Sequence, residues 1–347
     1  MSSATGSDKI EDMVGKKPMS RWLLMLTLLL AAVLLFLAFR GVNWRELIGT
    51  VQQARLGYLV LAVLVSTSSY WVRGLRWRAL IRAEKPVAPA TVFGAMMVGY
   101  LGNNFLPARA GEVIRAVLLG RSAGLSKSFV LATALTERML DVIALVLISL
   151  AAVLSLGGLP GWLLNAVKVM GGLGLAGLLV VFAMPRLEIW LRRSLTWLPL
   201  PATLLTRLMN VLEQFLLGMR SFQHTGRALG FAGLTVVIWL ADALGAMVIA
   251  QALSLSFLLP EALLLLAAMG LASAAPSTPG YVGIYQFVAV TVLVPFGFSR
   301  SAALAYILVL QATSYLVVTV WGGWGWWRLG VRGESKNGAS AATREVR

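Results

Sequence analysis

Gly99-Tyr-Leu-Gly-Asn-Asn-Phe-Leu-Pro-Ala-Arg-Ala-Gly-Glu-Val-Ile-Arg115 opens as an apolar helix and breaks between Asn103 and Gly111. It then sets Arg109, Glu112 and Arg115 beside sequence apolar enough for a membrane. A charge at membrane depth costs about 2.5–3.5 kcal/mol on insertion scales. A broken helix is tolerated there only where its freed backbone groups are buried in protein or line a wet cavity. The stretch therefore predicts a polar site inside the membrane, with the rest of the chain as the frame that holds it.

The 347 residues are 59% hydrophobic with a mean hydropathy of +0.81, and only 13% are charged, where a soluble domain carries about 25%. Repeated apolar runs near 20 residues predict an all-α polytopic membrane protein. A β-barrel is excluded because the runs are continuous and do not alternate. The net charge of +16 fits cytoplasmic anchoring by Lys and Arg, with some arginines meeting anionic lipid headgroups, and carries no nucleic-acid signal. There is no cysteine, and the single histidine, His224, sits in a basic linker. No metal site and no cofactor is expected.

Working outward, residues 1–20 read as a polar tail and 22–39 as a retained first span. Residues 40–56 suit a short interfacial helix. The second span, 57–72, ends in Arg73-Gly-Leu-Arg76-Trp-Arg78, with Arg82 and Lys85 beyond, a basic cluster that places this end in the cytoplasm. The apolar part of 91–106 is about 24 Å long as a helix, short of a ~30 Å hydrocarbon core. With Val113 to Leu119 returning toward Arg121 and Lys127, it predicts a re-entrant hairpin entered from the cytoplasm. The third span, within Lys127 to Leu156, holds Glu137, Arg138 and Asp141, with Glu137 and Asp141 on one face. Residues 157–165 are uncharged and expected outside.

The fourth span, 166–184, contains Gly172-Leu-Gly174-Leu-Ala-Gly177. It imitates a dinucleotide fingerprint but lies in an apolar helix with no preceding strand, so small-residue helix packing explains it. A second basic linker follows at 185–227, then a fifth span at 228–253 with Asp242 near its centre. A second broken run covers 261–296, interrupted by Pro276-Ser-Thr-Pro279-Gly280-Tyr-Val-Gly283. A sixth span, 302–327, closes on Trp321-Gly-Gly-Trp324-Gly-Trp326-Trp327-Arg328, which reads as an interfacial aromatic belt, and 331–347 reads as a polar tail. The breaks match, Pro107-x3-Gly111 against Pro279-x3-Gly283. The expectation is six full spans plus two re-entrant hairpins in inverted halves, 21–160 and 161–330, an arrangement that points to a midplane site.

At Asn103-x3-Pro107-x-Arg109-x-Gly111-Glu112-x2-Arg115, followed by Glu137-Arg138-x2-Asp141, the chain resembles the transmembrane flippase-like family that includes the membrane part of bacterial lysyl-phosphatidylglycerol synthases. The resemblance covers about 20–330. It implies a second motif, Pro-Gly-Gly-x-Gly-x2-Glu. This sequence has Pro279-Gly280-Tyr281-Val282-Gly283-Ile284-Tyr285-Gln286, so Tyr281 replaces a glycine and Gln286 replaces the acid. The soluble aminoacyl-transferase domain of such synthases is not read in the sequence, and the expectation is that the chain is not an enzyme.

The resemblance implies translocation of a lipid, or support of it, with an anionic phospholipid or a polyprenyl-phosphate lipid as partner. The reading is a flippase-like transporter in the cell membrane, both termini cytoplasmic, its site between the breaks at Asn103, Pro107, Arg109, Gly111, Glu112, Arg115, Pro279, Gly280, Gly283 and Gln286. Arg109 and Arg115 either form a phosphate fork or snorkel to the interface. Glu112 either pairs with an arginine or carries a proton. Glu137, Arg138 and Asp141 read as a supporting charge network, and Asp242 as a mid-span carboxylate with no basic partner in its own helix. The rival readings are a scaffold that presents a lipid to a partner enzyme, and an intramembrane lipid-modifying transferase.

Overall fold

A computed structural model describes residues 21–82, 84–106, 110–155, 225–273 and 278–345, with scattered residues between 161 and 213. The expected tail at 1–20, more than half of the expected fourth span and most of the second basic linker lie outside the described residues, as do Pro107, Arg109 and Pro276.

The described residues are helical throughout, joined by short turns. The first half runs α1 (Arg21–Phe39), α2 (Trp44–Gln52), α3 (Leu56–Ile81), α4 (Pro89–Phe105), α5 (Ala110–Ala123) and α6 (Lys127–Ser155). The second runs α7 (Thr225–Ala252), α8 (Leu259–Ala272), a 3-10 turn (Pro279–Tyr281), α9 (Ile284–Leu293), a second 3-10 turn (Val294–Phe296) and α10 (Arg300–Glu345). Helices are the economical choice for such a sequence, because in lipid every backbone N–H and C=O must be satisfied within the segment. The chain is an all-α polytopic membrane protein. Five helical runs among the described residues are long and apolar enough to cross a membrane, six if α1 and α2 count as one bent span.

Local sequence sets the ends. Asn43 starts α2 by accepting backbone N–H bonds from Arg45 and Glu46 at 3.1 and 3.3 Å, and α2 turns 89° from α1, as an interfacial helix would. Pro89 opens α4 and Pro260 lies in the first turn of α8, where a missing N–H costs nothing. The helical part of α9 spans 10 residues, about 15 Å, or half a hydrocarbon core. The run from Pro279 to Phe296 is nonetheless long enough to rank among the crossing segments. At the C-terminus α10 continues to Glu345, through residues expected as a polar tail.

The packing is reciprocal. α3 lies against α7, and the backbone N–H of Arg55 donates to the Ala252 carbonyl at 2.9 Å to tie their ends. The first arm of the first hairpin, α4, packs on α10, while the first arm of the second, α8, packs on α6. Each hairpin thus leans on a long span that is not its neighbour in the chain. Small residues let the helices close up. A Cβ on Gly325 would fall 2.5 Å from the Gly94 carbonyl oxygen, and one on Gly270 would fall 2.4 Å from the Leu145 side chain.

The aromatic cluster near the end of α10 is divided, which corrects its reading as a single interfacial belt. Trp321 and Trp324 pack inward on Phe93, which stacks on Trp71 at 4.1 Å, while Trp326 and Trp327 are exposed. On a helix, residues three apart share a face and the next two do not.

Candidate functional site: a chamber between two broken hairpins

Each hairpin is held at its break by an amide side chain. In the first, Asn103 Oδ1 accepts the Gly111 N–H at 3.0 Å, supplying a partner for a donor that the broken helix leaves free. The arms cross so closely that a Cβ on Gly111 would lie 1.9 Å from the Gly99 carbonyl oxygen. In the second, Gln286 Oε1 accepts the Gly283 N–H at 2.7 Å, and its Nε2 donates to Gln311. Gly283 has φ +89°, and a Cβ there would lie 2.7 Å from the Ala31 carbonyl oxygen of α1. The breaks also meet each other, since the Cβ position at Gly280 lies 3.5 Å from the Asn104 carbonyl oxygen. The Gly280 carbonyl accepts from Gln311 Nε2 at 3.0 Å and from the Tyr315 hydroxyl.

Between the breaks is a chamber of about 310 Å³, at the small end of the ~300–1,000 Å³ usual for ligand pockets. Asn103, Glu112, Arg138, Asp141 and Asp242 line it, together with Arg73. The lining also carries aromatic rings, those of Tyr70, Tyr100, Trp239, Tyr281, Tyr285 and Tyr315.

The charges form one alternating chain, which reads Arg138–Glu112–Arg115–Glu137–Arg76–Asp141–Arg73–Asp242. Arg138 Nε meets Glu112 at 3.1 Å, Arg115 meets Glu112 at 2.5 Å and Glu137 at 3.2 Å, and Arg76 meets Glu137 at 3.1 Å and Asp141 at 2.7 Å. Arg73 meets Asp141 at 3.9 Å and pairs with Asp242, which also accepts from the Ser69 hydroxyl. Every arginine of the chain has an aromatic ring over its guanidinium: Tyr100 on Arg138 at 5.3 Å, Trp77 on Arg115 at 4.7 Å, Phe231 on Arg76 and Trp239 on Arg73, both at 5.0 Å. Four cations balance four anions, so burial is offset by pairing, which a lone charge at this depth would lack.

The middle and the ends of this chain differ. Arg115, Glu137 and Arg76 are completely or almost completely buried and do not line the chamber. Arg138 and Asp242 are its ends, and both reach the chamber; the Arg138 side chain is 31% exposed.

The expected site residues are therefore distributed. Asn103, Glu112, Arg138, Asp141 and Asp242 come together at the chamber. Gly111, Pro279, Gly280 and Gly283 shape the breaks, while Gln286 sits behind one of them. The fork of Arg109 and Arg115 is not assembled among the described residues, because both forks of Arg115 point to carboxylates within the protein. Two arginines were missed. Arg73 and Arg76, read from sequence as cytoplasmic anchors, are buried members of the chain. Their signal was their spacing, since Ser69, Arg73 and Arg76 share one face of α3, while Arg82 is exposed. Asp242 does have a basic partner, but on α3.

The family model for the lysylphosphatidylglycerol synthase TM region matches residues 24–322. A curated relative, Glycosyltransferase AglD of Haloferax volcanii, is 24% identical over 332 residues, covering 86% of this chain and 53% of that protein. The chain thus spans about half the length of the curated relative it matches. That relative carries an enzyme's name, and on this finding the expectation that the chain is not an enzyme does not stand. No solved structure matches the chain.

Proposed function

The chain belongs to the family of the lysylphosphatidylglycerol synthase TM region, and on that premise we propose that it seats the headgroup of a membrane lipid in the chamber and presents it for modification by group transfer. The observation that carries this reading is the charge chain whose two ends, Arg138 and Asp242, open on the space between the breaks. A headgroup phosphate meets Arg138, the cation with the most exposed side chain in the chain, and the acyl or prenyl tails remain in lipid. This replaces Arg115 as the phosphate partner. Presentation for transfer is favoured over translocation by the name of the relative, a glycosyltransferase. The two halves divide near residue 160, and both termini face the cytoplasm of a cell-membrane protein.

The test is a comparison of lipid extracts, by mass, from cells with and without the chain. The expected result is one lipid class that loses a headgroup substituent when the chain is absent, while its unmodified precursor accumulates. An unchanged mass profile in every class would sink the reading. Orientation is checked with single introduced cysteines, since the chain has none of its own. A cysteine at Gly161 should react with an impermeant reagent only from outside.

A further inference from the structure

The second break contains a residue held against its backbone preference. The N–H of Tyr281 donates to the Thr278 carbonyl at 3.0 Å, closing a tight turn over Pro279 and Gly280. Gly280 has φ +68° and ψ +9°, the type II geometry in which glycine follows proline. That turn accounts for Gly280. It does not account for Tyr281, whose own φ is +61°. A bulky side chain with positive φ is a strained outlier, and a glycine would adopt the same backbone freely. Strain of this kind persists where the side chain serves the site.

The ring of Tyr281 stacks on that of Tyr285, centroids 4.9 Å apart and planes 10° from parallel. Both line the chamber. The chamber they line also holds the neutral amide and hydroxyl groups of Asn104, Ser66 and Ser314. The carboxylates of the same chamber, Glu112, Asp141 and Asp242, are each already paired with arginine. An ammonium group entering here finds, among the described residues, no carboxylate without an arginine partner, and has Arg73 and Arg138 for neighbours. A ring with one apolar C–H face and hydroxyl edges finds a platform for the face and neutral partners for the edges.

We propose that Tyr281, stacked on Tyr285, is the specificity-determining platform of the chamber, and that it takes the neutral sugar ring of a glycosylated lipid headgroup. The proposal rests on the reading that the chamber seats a lipid headgroup, and its test separates the two. The full chain, purified in a detergent without a sugar head, is offered phosphatidylglycerol, its glucosyl derivative and its lysyl derivative, and retention is measured by native mass spectrometry. All three share the phosphate. The expected result is a preference for the glucosyl lipid over phosphatidylglycerol of roughly three- to tenfold, the range an aromatic contact supplies. Tyr281→Gly should abolish that preference while still retaining phosphatidylglycerol, with a thermal midpoint at or above the parent's because the strain is relieved. Tyr281→Phe should keep the preference.

If the parent retains none of the three lipids, the headgroup reading itself fails. If it retains them but Tyr281→Gly leaves the glucosyl preference unchanged, the platform alone is overturned. A preference for the lysyl lipid overturns it as well. So does a Tyr281→Gly variant whose thermal midpoint falls together with the preference, since that assigns the ring to packing.

Discussion

The two broken hairpins solve one mechanical problem with opposite chemistry. Both interrupt an apolar helical run, both close the gap with a side-chain amide oxygen on a glycine N–H, and both rely on a glycine where the backbone comes within contact of another chain segment. Around the first break the surroundings are ionic, with Arg115 and Glu112 of α5 tied to Glu137 and Arg138 of α6. Around the second they are neutral, with Gln286, Gln311 and Tyr315 converging on Gly280 and Gly283. The ionic break depends on complete pairing, because one missing partner strands a charge in a region of low dielectric. The neutral break can lose a partner at the cost of a single hydrogen bond. The fold is thereby braced hard on one side of the chamber and more softly on the other.

The sharpest way to break this contrast is Glu137→Ala. Among the described residues Glu137 is the one carboxylate that meets both Arg76 and Arg115, and its loss leaves two buried guanidiniums short of a partner. Removing one member of a buried pair costs about 3–5 kcal/mol, so the variant should be recovered poorly and unfold far below the parent in detergent. A thermal midpoint close to the parent's would show that the charge chain does not brace the first hairpin.

Next in size is the close approach at the breaks. Gly111→Ala drives a methyl to within 1.9 Å of the Gly99 carbonyl oxygen and 2.6 Å of Asn103 Oδ1, so the arms must separate. Overpacking of this kind costs about 1–3 kcal/mol or more. Gly283→Ala meets the Ala31 carbonyl oxygen at 2.7 Å and adds the strain of φ +89°, and a loss of similar size is expected. Guanidine or thermal unfolding of both variants compares the breaks directly. A loss at one glycine with none at the other would show that the two breaks are not equivalent.

These contrasts were legible in the sequence to different depths. The breaks were visible because proline and glycine interrupt apolar runs at matching spacing, and because charges beside Gly111 need a partner to survive in a membrane. The order of the charge chain was not visible, because every link but Glu112–Arg115, which lies within α5, joins separate helices: Arg73 meets Asp242 across 169 residues and Arg76 meets Glu137 across 61. Arg73 and Arg76 were masked by company. Counted with Arg78, Arg82 and Lys85 they look like an anchoring cluster, and only the helical period separates the inward pair from the rest. Tyr281 was visible as a departure from the expected motif, but its positive φ and its stacking belong to the fold.

A smaller effect tests the neutral side. Gln286→Ala removes the acceptor of the Gly283 N–H and the donor to Gln311. It acts as the loss of a helix cap, about 0.5–2 kcal/mol. Its midpoint should lie clearly between those of Glu137→Ala and the parent. A collapse as severe as that of Glu137→Ala would remove the distinction between a hard and a soft break.

The smallest stability effect is expected where the chain opens on the chamber, and there the functional effect should be large. Among the described residues Arg138 forms its ion pair with Glu112, by a 3.1 Å contact, and its side chain is 31% exposed. With that much access to the chamber its ion pair is partly screened, and losing it should cost about 1 kcal/mol or less. Arg138→Gln should therefore fold like the parent and unfold close to it. If Arg138 takes the headgroup phosphate, the same change removes a charge-assisted hydrogen bond worth about 1.5–3 kcal/mol, and retention of phosphatidylglycerol should fall roughly 10- to 100-fold. Retention of diacylglycerol, which has no phosphate, should stay as it was. Arg115→Lys supplies the opposite case: Arg115 is fully buried and bonded to two carboxylates, a fork that lysine cannot reproduce. It should lower the unfolding midpoint and leave the retention per folded molecule unchanged. The two variants thus exchange their signatures. If Arg115→Lys impaired retention while Arg138→Gln did not, the phosphate would belong to the buried arginine after all, and the division of the charge chain into bracing middle and working ends would fall.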